Sequence, residues 1–182
     1  MTINFKSTVL ALALTASTSF ASDTTRVGGM DMFPTKDIID NAVNSADHTT
    51  LVAAVKAAGL VETLKGKGPF TVFAPTDAAF GRLPAGTVET LVKPENKGAL
   101  TGILTYHVVA GNLTFKALSK MIKAGQGKAE LTTVNGAKLW VMMNGEHNLT
   151  LKDNKGSVAN ISTYDVMQSN GVIHVIDRVV MP

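Results

Sequence analysis

The sequence predicts an α+β fold. Through the middle of the chain, apolar side chains recur mostly at helical spacing, interrupted by Gly and Pro; from Ala129 onward the period shortens to two, with turn dipeptides about ten residues apart. A third observation is the stretch 70–80, FTVFAPTDAAF, which holds a strand, a stop and a helix start. Phe70, Val72 and Ala74 alternate with Thr71 and Phe73, so both faces carry apolar bulk, the pattern of a central strand. Pro75 removes a ladder donor, Thr76 can cap a helix, and Asp77 suits the positive end of its dipole. Pro75 and Phe80 are placed as a hydrophobic staple, and Pro84 ends the helix.

The other elements follow in order. Lys6 precedes a short apolar run at 9–16, and Ser19-Phe20-Ala21 sets small residues at the −3 and −1 positions of a cleavage site, the pattern of a secretory signal peptide over residues 1–21. That run is too short to span a membrane, no later stretch reaches about 18 apolar residues, and no Cys follows it to accept lipid. Pro182 leaves no tail for an anchor, so the mature protein is expected to be secreted or periplasmic. Residues 22–34 lack periodicity and are expected to be a flexible leader. From Thr35, a candidate N-cap, Ile38, Ile39, Ala42, Val43 and Ala46 form an apolar helical face with Asn41 opposite. A second helix begins near Thr49 and stops at Gly59; a shorter turn carries Leu60, Val61 and Leu64. Beyond the stretch 70–80 come a helical turn at 87–92 and a helix from Pro94 in which Leu100, Ile103, Leu104 and His107 share a face. His107 sits where helix gives way to a strand ending at Gly111. Thr114 caps a helix with Leu118 and Ile122 on one side and Lys116, Lys120 and Lys123 on another. Strands are predicted at 130–134 and 138–142 around Asn135-Gly136, then at 158–161, 164–167, 172–176 and 178–181.

The segment Asn170-Gly171-Val172-Ile173-His174-Val175-Ile176-Asp177, the stretch 70–80 and the Tyr106-His107 pair resemble, in order and spacing, the three landmarks of the fasciclin domain. The likeness covers residues 35–182. It implies a wedge of two small β-sheets with several helices packed on one side, a fold of secreted and cell-surface adhesion proteins, and a single domain behind a signal peptide resembles bacterial members. Phe70, Pro75, Thr76, Asp77, Phe80, Asn170, Gly171, His174 and Asp177 are its structural motif residues. In animal members a Tyr-His pair and an Asp-Ile pair have been linked to integrin contact; these correspond to Tyr106-His107 and Asp165-Val166, with Val for Ile and Thr163-Tyr164 for the usual Glu-Pro.

The chain's 182 residues include 17 Lys+Arg, 14 Asp+Glu and no Cys. Removing residues 1–21 takes Lys6 and no acid, and a surplus so small argues against nucleic acid as a partner. Without thiols, stability must come from the core. His48, His107 and His147 show no zinc spacing, and His174 and Asp177 fall on opposite strand faces, so no metal and no cofactor are expected. His107 and His174 read as core histidines. No short catalytic motif is present, and Asp77 reads as a helix cap before a proton donor. Sequons stand at Asn112, Asn148 and Asn160. The Lys116, Lys120 and Lys123 stripe reads first as a solvated face and second as a salt-sensitive surface for an anionic polymer. The leading functional reading is an exported, non-enzymatic adhesion module that binds a cell-surface or matrix protein or carbohydrate, without a membrane span. A periplasmic binder of a small or polymeric anionic ligand comes next, and an enzyme with dispersed catalytic residues last.

Overall fold

In the computed structural model, which describes residues 24–182, the chain opens with a hairpin of β1 (Thr25–Val27) and β2 (Met30–Met32). The expected signal peptide at 1–21 lies outside the described residues. A flexible leader is expected here, yet Val27 and Met32 are buried, and Asn41 holds the exit turn by accepting from the Phe33 N–H (3.0 Å) and donating to the Phe33 carbonyl (2.7 Å). Strands of three residues are too short for alternation to be read.

Helix α1 (Ile38–Ala42) is capped by Asp37, whose carboxylate accepts from the Asp40 N–H at 2.8 Å, and not by Thr35. It stops at Ala42, so the helical period breaks: Val43 and Ala46 are exposed, while Asn41 is fully buried. Helices α2 (Thr49–Ala58) and α3 (Val61–Lys65) follow; α2 ends at Gly59, which takes the left-handed φ of 74° open to glycine. Strand β3 (Phe70–Pro75) leads into α4 (Asp77–Gly81), capped by the Thr76 hydroxyl accepting from the Ala79 N–H at 3.2 Å. Then come α5 (Thr87–Leu91), a 3-10 turn at Pro94–Asn96, α6 (Lys97–Tyr106), β4 (Val108–Ala110) and α7 (Phe115–Ala124).

The second half is a meander of β5 (Lys128–Thr132), β6 (Lys138–Met143), β7 (Leu149–Lys152), β8 (Val158–Gln168) and β9 (Gly171–Ile176). Three of its features depart from the sequence reading. Val134 leaves the expected strand because its N–H goes to the Val108 carbonyl (2.7 Å). The two strands expected at 158–161 and 164–167 are one strand, β8, bent by register shifts between Ile161 and Val166. No strand forms at 178–181, because side chains take the backbone donors: the Val180 N–H donates to His107 Nε2 (3.2 Å) and the Met181 N–H to Asp153 (3.0 Å).

The seven long-range strands run in the order β4-β3-β9-β8-β7-β6-β5, with only β3 and β9 parallel. A bridge between Val109 and Thr133 draws the two edges together into a nearly closed wedge. Strand β3 divides the interior, as its two apolar faces predict. Val72 and Ala74 join Ile38, Leu51, Val55 and Leu104 under the helices, whereas Phe73 joins Leu118, Ile122, Leu139 and Val141 inside the β-meander. Leu118 and Ile122 are essentially inaccessible, each stabilising by roughly 2 kcal/mol, and this apolar face is what seats α7 on β5 and β6.

Candidate interaction surface

The landmarks converge on the β3–β9 pair. Phe70 sits beside Gly171 in register, and a Cβ at Gly171 would meet the Phe70 carbonyl oxygen, so a side chain there would force the strands apart. Buried Asn170 accepts from the Ile38 N–H (3.0 Å) and donates to the carbonyls of Leu64 (2.7 Å) and Gly66 (2.9 Å), tying α1 and α3 to the start of β9. His174 is buried beside Phe73, ring centroids 5.7 Å apart. Its Nε2–H donates to the Leu113 carbonyl (2.7 Å), which leaves Nδ1 to accept from the Asp165 N–H (3.3 Å). That bond holds the bulge of β8, where Asp165 takes a φ of 52° and its carboxylate accepts from the Phe115 N–H (2.7 Å) at the first turn of α7. Burial pushes the His174 ring below its ordinary value.

His107 follows the same logic. Its Nδ1–H donates to the Ile103 carbonyl (2.8 Å), its Nε2 accepts from Val180, and burial drives its pKa down to about 4. The Tyr106 hydroxyl donates to the Lys138 carbonyl (2.7 Å) and accepts from the Asn154 N–H (3.3 Å). Tyr106, His107 and Val166 are buried and Asp165 is half-buried, so this constellation is spent on internal bonds. Asp77 does cap a helix, but a different one from that expected: its carboxylate accepts from the Thr49 hydroxyl (2.6 Å) and the Thr50 N–H (2.8 Å) at the start of α2. Burial pushes the Asp77 carboxyl up, the Thr49 and Thr50 donors push it down further, and it rests below its ordinary value. Asp177 closes the end of β9 with Asn160 (2.7 Å) and Arg82 (3.4 Å). Pro75 and Phe80 are both buried at the β3–α4 junction.

Among the described residues that face solvent, two sets stand out. Lys116, Lys120 and Lys123 stand exposed on α7, and none is in an ion pair among the described residues. The other is the outer face of β5, β6 and β7. Because Leu139 and Val141 point into the core, Lys138, Trp140 and Met142 point away from it, and Trp140 lies between Glu130 on β5 and Lys152 on β7.

The family model described as Fasciclin domain matches residues 46–182. The chain belongs to the fasciclin family. Protein sll1483 of Synechocystis sp. is 48% identical over 147 residues, spanning 80% of this chain and 73% of that protein. The cell surface glycolipoprotein MPB83 of Mycobacterium bovis is 37% identical over 161 residues, spanning 86% of this chain and 64% of that one. A FAS1 domain pair from the insect cell adhesion molecule fasciclin I shares the fold, with a TM-score of 0.72 at 20% identity over 82% of this chain and 52% of the pair. This chain thus spans less than two thirds of the glycolipoprotein and about half of the insect pair.

Within this fasciclin domain the match begins at 46, beyond the boundary expected at 35, although α1 and the β1–β2 hairpin contribute Ile38, Val27 and Met32 to the same core. Sequence reasoning picked out the landmarks and the α7 lysines but passed over Trp140. The signal was there in β6: Leu139 and Val141 alternate with Lys138, Trp140 and Met142, which puts an aromatic where a solvated strand face calls for a polar side chain.

Proposed function

We propose that this chain is an exported, non-enzymatic adhesion module that binds protein or carbohydrate at a cell surface or in a matrix. The observation that carries the reading is how the polar landmarks are spent. His107 and His174 engage both ring nitrogens internally, Asp165 and Asn170 tie helices to strands, and Asp77 ties α4 to α2, so these groups serve as braces for a rigid frame. Recognition then falls to the solvated faces. Kinship with a domain pair from a cell adhesion molecule and with a cell surface glycolipoprotein supports the same setting. Export rests on the signal-peptide pattern of residues 1–21. A second reading, a binder of an anionic ligand, is favoured by the exposed Lys116, Lys120 and Lys123.

Beads coated with the protein lacking residues 1–21 provide the test. Retention of cell envelopes or extracellular matrix, competed by the same protein in solution, is the expected result. Beads that retain neither refute the adhesion reading.

A further inference from the structure

The outer face of the β-meander holds a groove of about 480 Å³ whose floor is Trp140 and Met142 and whose rim carries Lys128, Lys152, Asn154 and Lys155. We infer that this groove binds an acidic polysaccharide, a pyranose chain bearing anionic groups, with one ring stacked on Trp140. The inference rests on the adhesion reading and names its ligand class and site.

Charge comes first. Glu130 is taken by Lys138 at 3.0 Å, and Lys138, with the Trp140 indole and Lys128 adding to it, holds that carboxyl below its ordinary value. Asp153 is buried, its carboxylate accepting from the backbone N–H groups of Lys155 (3.0 Å), Ser157 (2.8 Å) and Met181 (3.0 Å). Among the described residues Lys128, Lys152 and Lys155 are therefore in no ion pair, and the groove is net positive. Lys128 and Lys152 stand on strands two spacings apart, about 10 Å, with Trp140 on the strand between them. Lys152 is thus the direct neighbour of Trp140 on β7, while on β5 Lys128 stands one pair along, opposite Met142, and the residue opposite Trp140 is Glu130, whose charge Lys138 meets.

Shape comes second. A half-buried indole offers a face whose negative quadrupole attracts the partly positive C–H bonds of a pyranose ring, and the Glu130 carboxylate opposite it is a partner for the indole N–H. The rim is braced as well, since Asn154 donates its N–H to Tyr106 and Asp153 folds the turn on itself. The backbone of the groove is thus preformed, and the ordering cost of binding falls on the exposed lysine side chains. Single-stranded nucleic acid fits less well. Tracks for it present successive aromatics, whereas this face has one, the only Trp in the chain.

That single Trp makes its fluorescence a direct reporter of the groove. Titrating the protein with a polygalacturonate oligomer is expected to shift Trp140 emission, with affinity falling about tenfold between about 50 and 300 mM NaCl. The methyl-esterified oligomer, identical but uncharged, is expected to bind at least tenfold more weakly. Exposed charge contacts are worth about threefold each, so Lys128→Gln/Lys152→Gln/Lys155→Gln together are expected to weaken binding about thirtyfold with the circular dichroism spectrum unchanged. Lys116→Gln/Lys120→Gln/Lys123→Gln on α7 is expected to change it by less than about twofold.

The inference is overturned if the α7 variant loses binding and the groove variant keeps it, if the esterified oligomer binds equally well, or if an oligo-dT strand or anionic vesicles bind more tightly than polygalacturonate. It falls alone, leaving the adhesion reading intact, if the coated beads retain envelopes while polygalacturonate leaves Trp140 unmoved. It stands, and the adhesion reading falls, if polygalacturonate binds as expected while the beads retain nothing.

Discussion

Mild acid tests the buried histidines. His107 is neutral in the folded protein because burial drives its pKa from 6.5 down to about 4. The unfolded chain takes up this proton below 6.5 and the folded one only near 4, so the stabilisation is complete above 6.5 and is lost as pH falls between them. At about 1.36 kcal/mol per pKa unit, the loss reaches about 2 kcal/mol at pH 5 and about 3 kcal/mol at pH 4. Burial lowers His48 and His174 as well, and both add to the loss in the same direction. Asp37, Asp77 and Asp177 are also lowered, but their contribution is present above the ordinary carboxylate value of 3.8 and lost only below it, so the interval from pH 7 to 5 isolates the histidines. Urea unfolding at pH 7, 6 and 5 measures the effect. Domains of this kind are stable by about 5–15 kcal/mol, so a loss of this size moves the midpoint visibly. His107→Gln removes the titration: it is expected to be less stable than the parent at pH 7 yet to lose about 2 kcal/mol less on going to pH 5. Parallel pH dependences for parent and variant would refute the assignment.

Two further substitutions probe the braces. Asp77→Ala leaves the Thr49 hydroxyl and Thr50 N–H at the start of α2 without an acceptor and is expected to cost about 1–2 kcal/mol, read as a lower melting temperature; an unchanged one removes Asp77 as the cap. His174→Ala strips partners from the Leu113 carbonyl and the Asp165 N–H and opens a cavity beside Phe73, for about 3 kcal/mol of stability. Because Asp165 bonds the Phe115 N–H, that amide is also expected to exchange with solvent faster than in the parent, and unchanged protection would separate His174 from α7.

The elements legible in the sequence are those specified locally. Helix α2 with its Gly59 stop, β3 with its two apolar faces, Thr76 at α4, Thr114 at α7 and the β9 strand each carry their signal within a few residues. What escaped depends on partners distant in the chain. Asp77 reaches back to α2, Asn41 is buried because Phe33 and Gln168 meet its amide, and the donors of Val180 and Met181 are claimed by His107 and Asp153, so an apolar terminus that reads as a strand is irregular. The bend that fuses two expected strands into β8 is held by a histidine on the neighbouring strand. Of the exposed surface, the lysines of α7 stood out by helical spacing, whereas the Trp140 face needs β5, β6 and β7 side by side before its lysines become neighbours.

The bridge between Val109 and Thr133 also bears on strand pairing at the edges of the seven-stranded sheet. Proteins that associate by adding a strand do so along an open row of backbone donors and acceptors. Here the edge strands β4 and β5 have three and five residues, and the bridge stitches their neighbouring ends together. Among the described residues, this seven-stranded sheet leaves little edge main chain to template a second copy or an extended peptide. A partner that met this sheet would therefore have to be recognised through side chains, which can be substituted on the outer faces without breaking the ladder beneath.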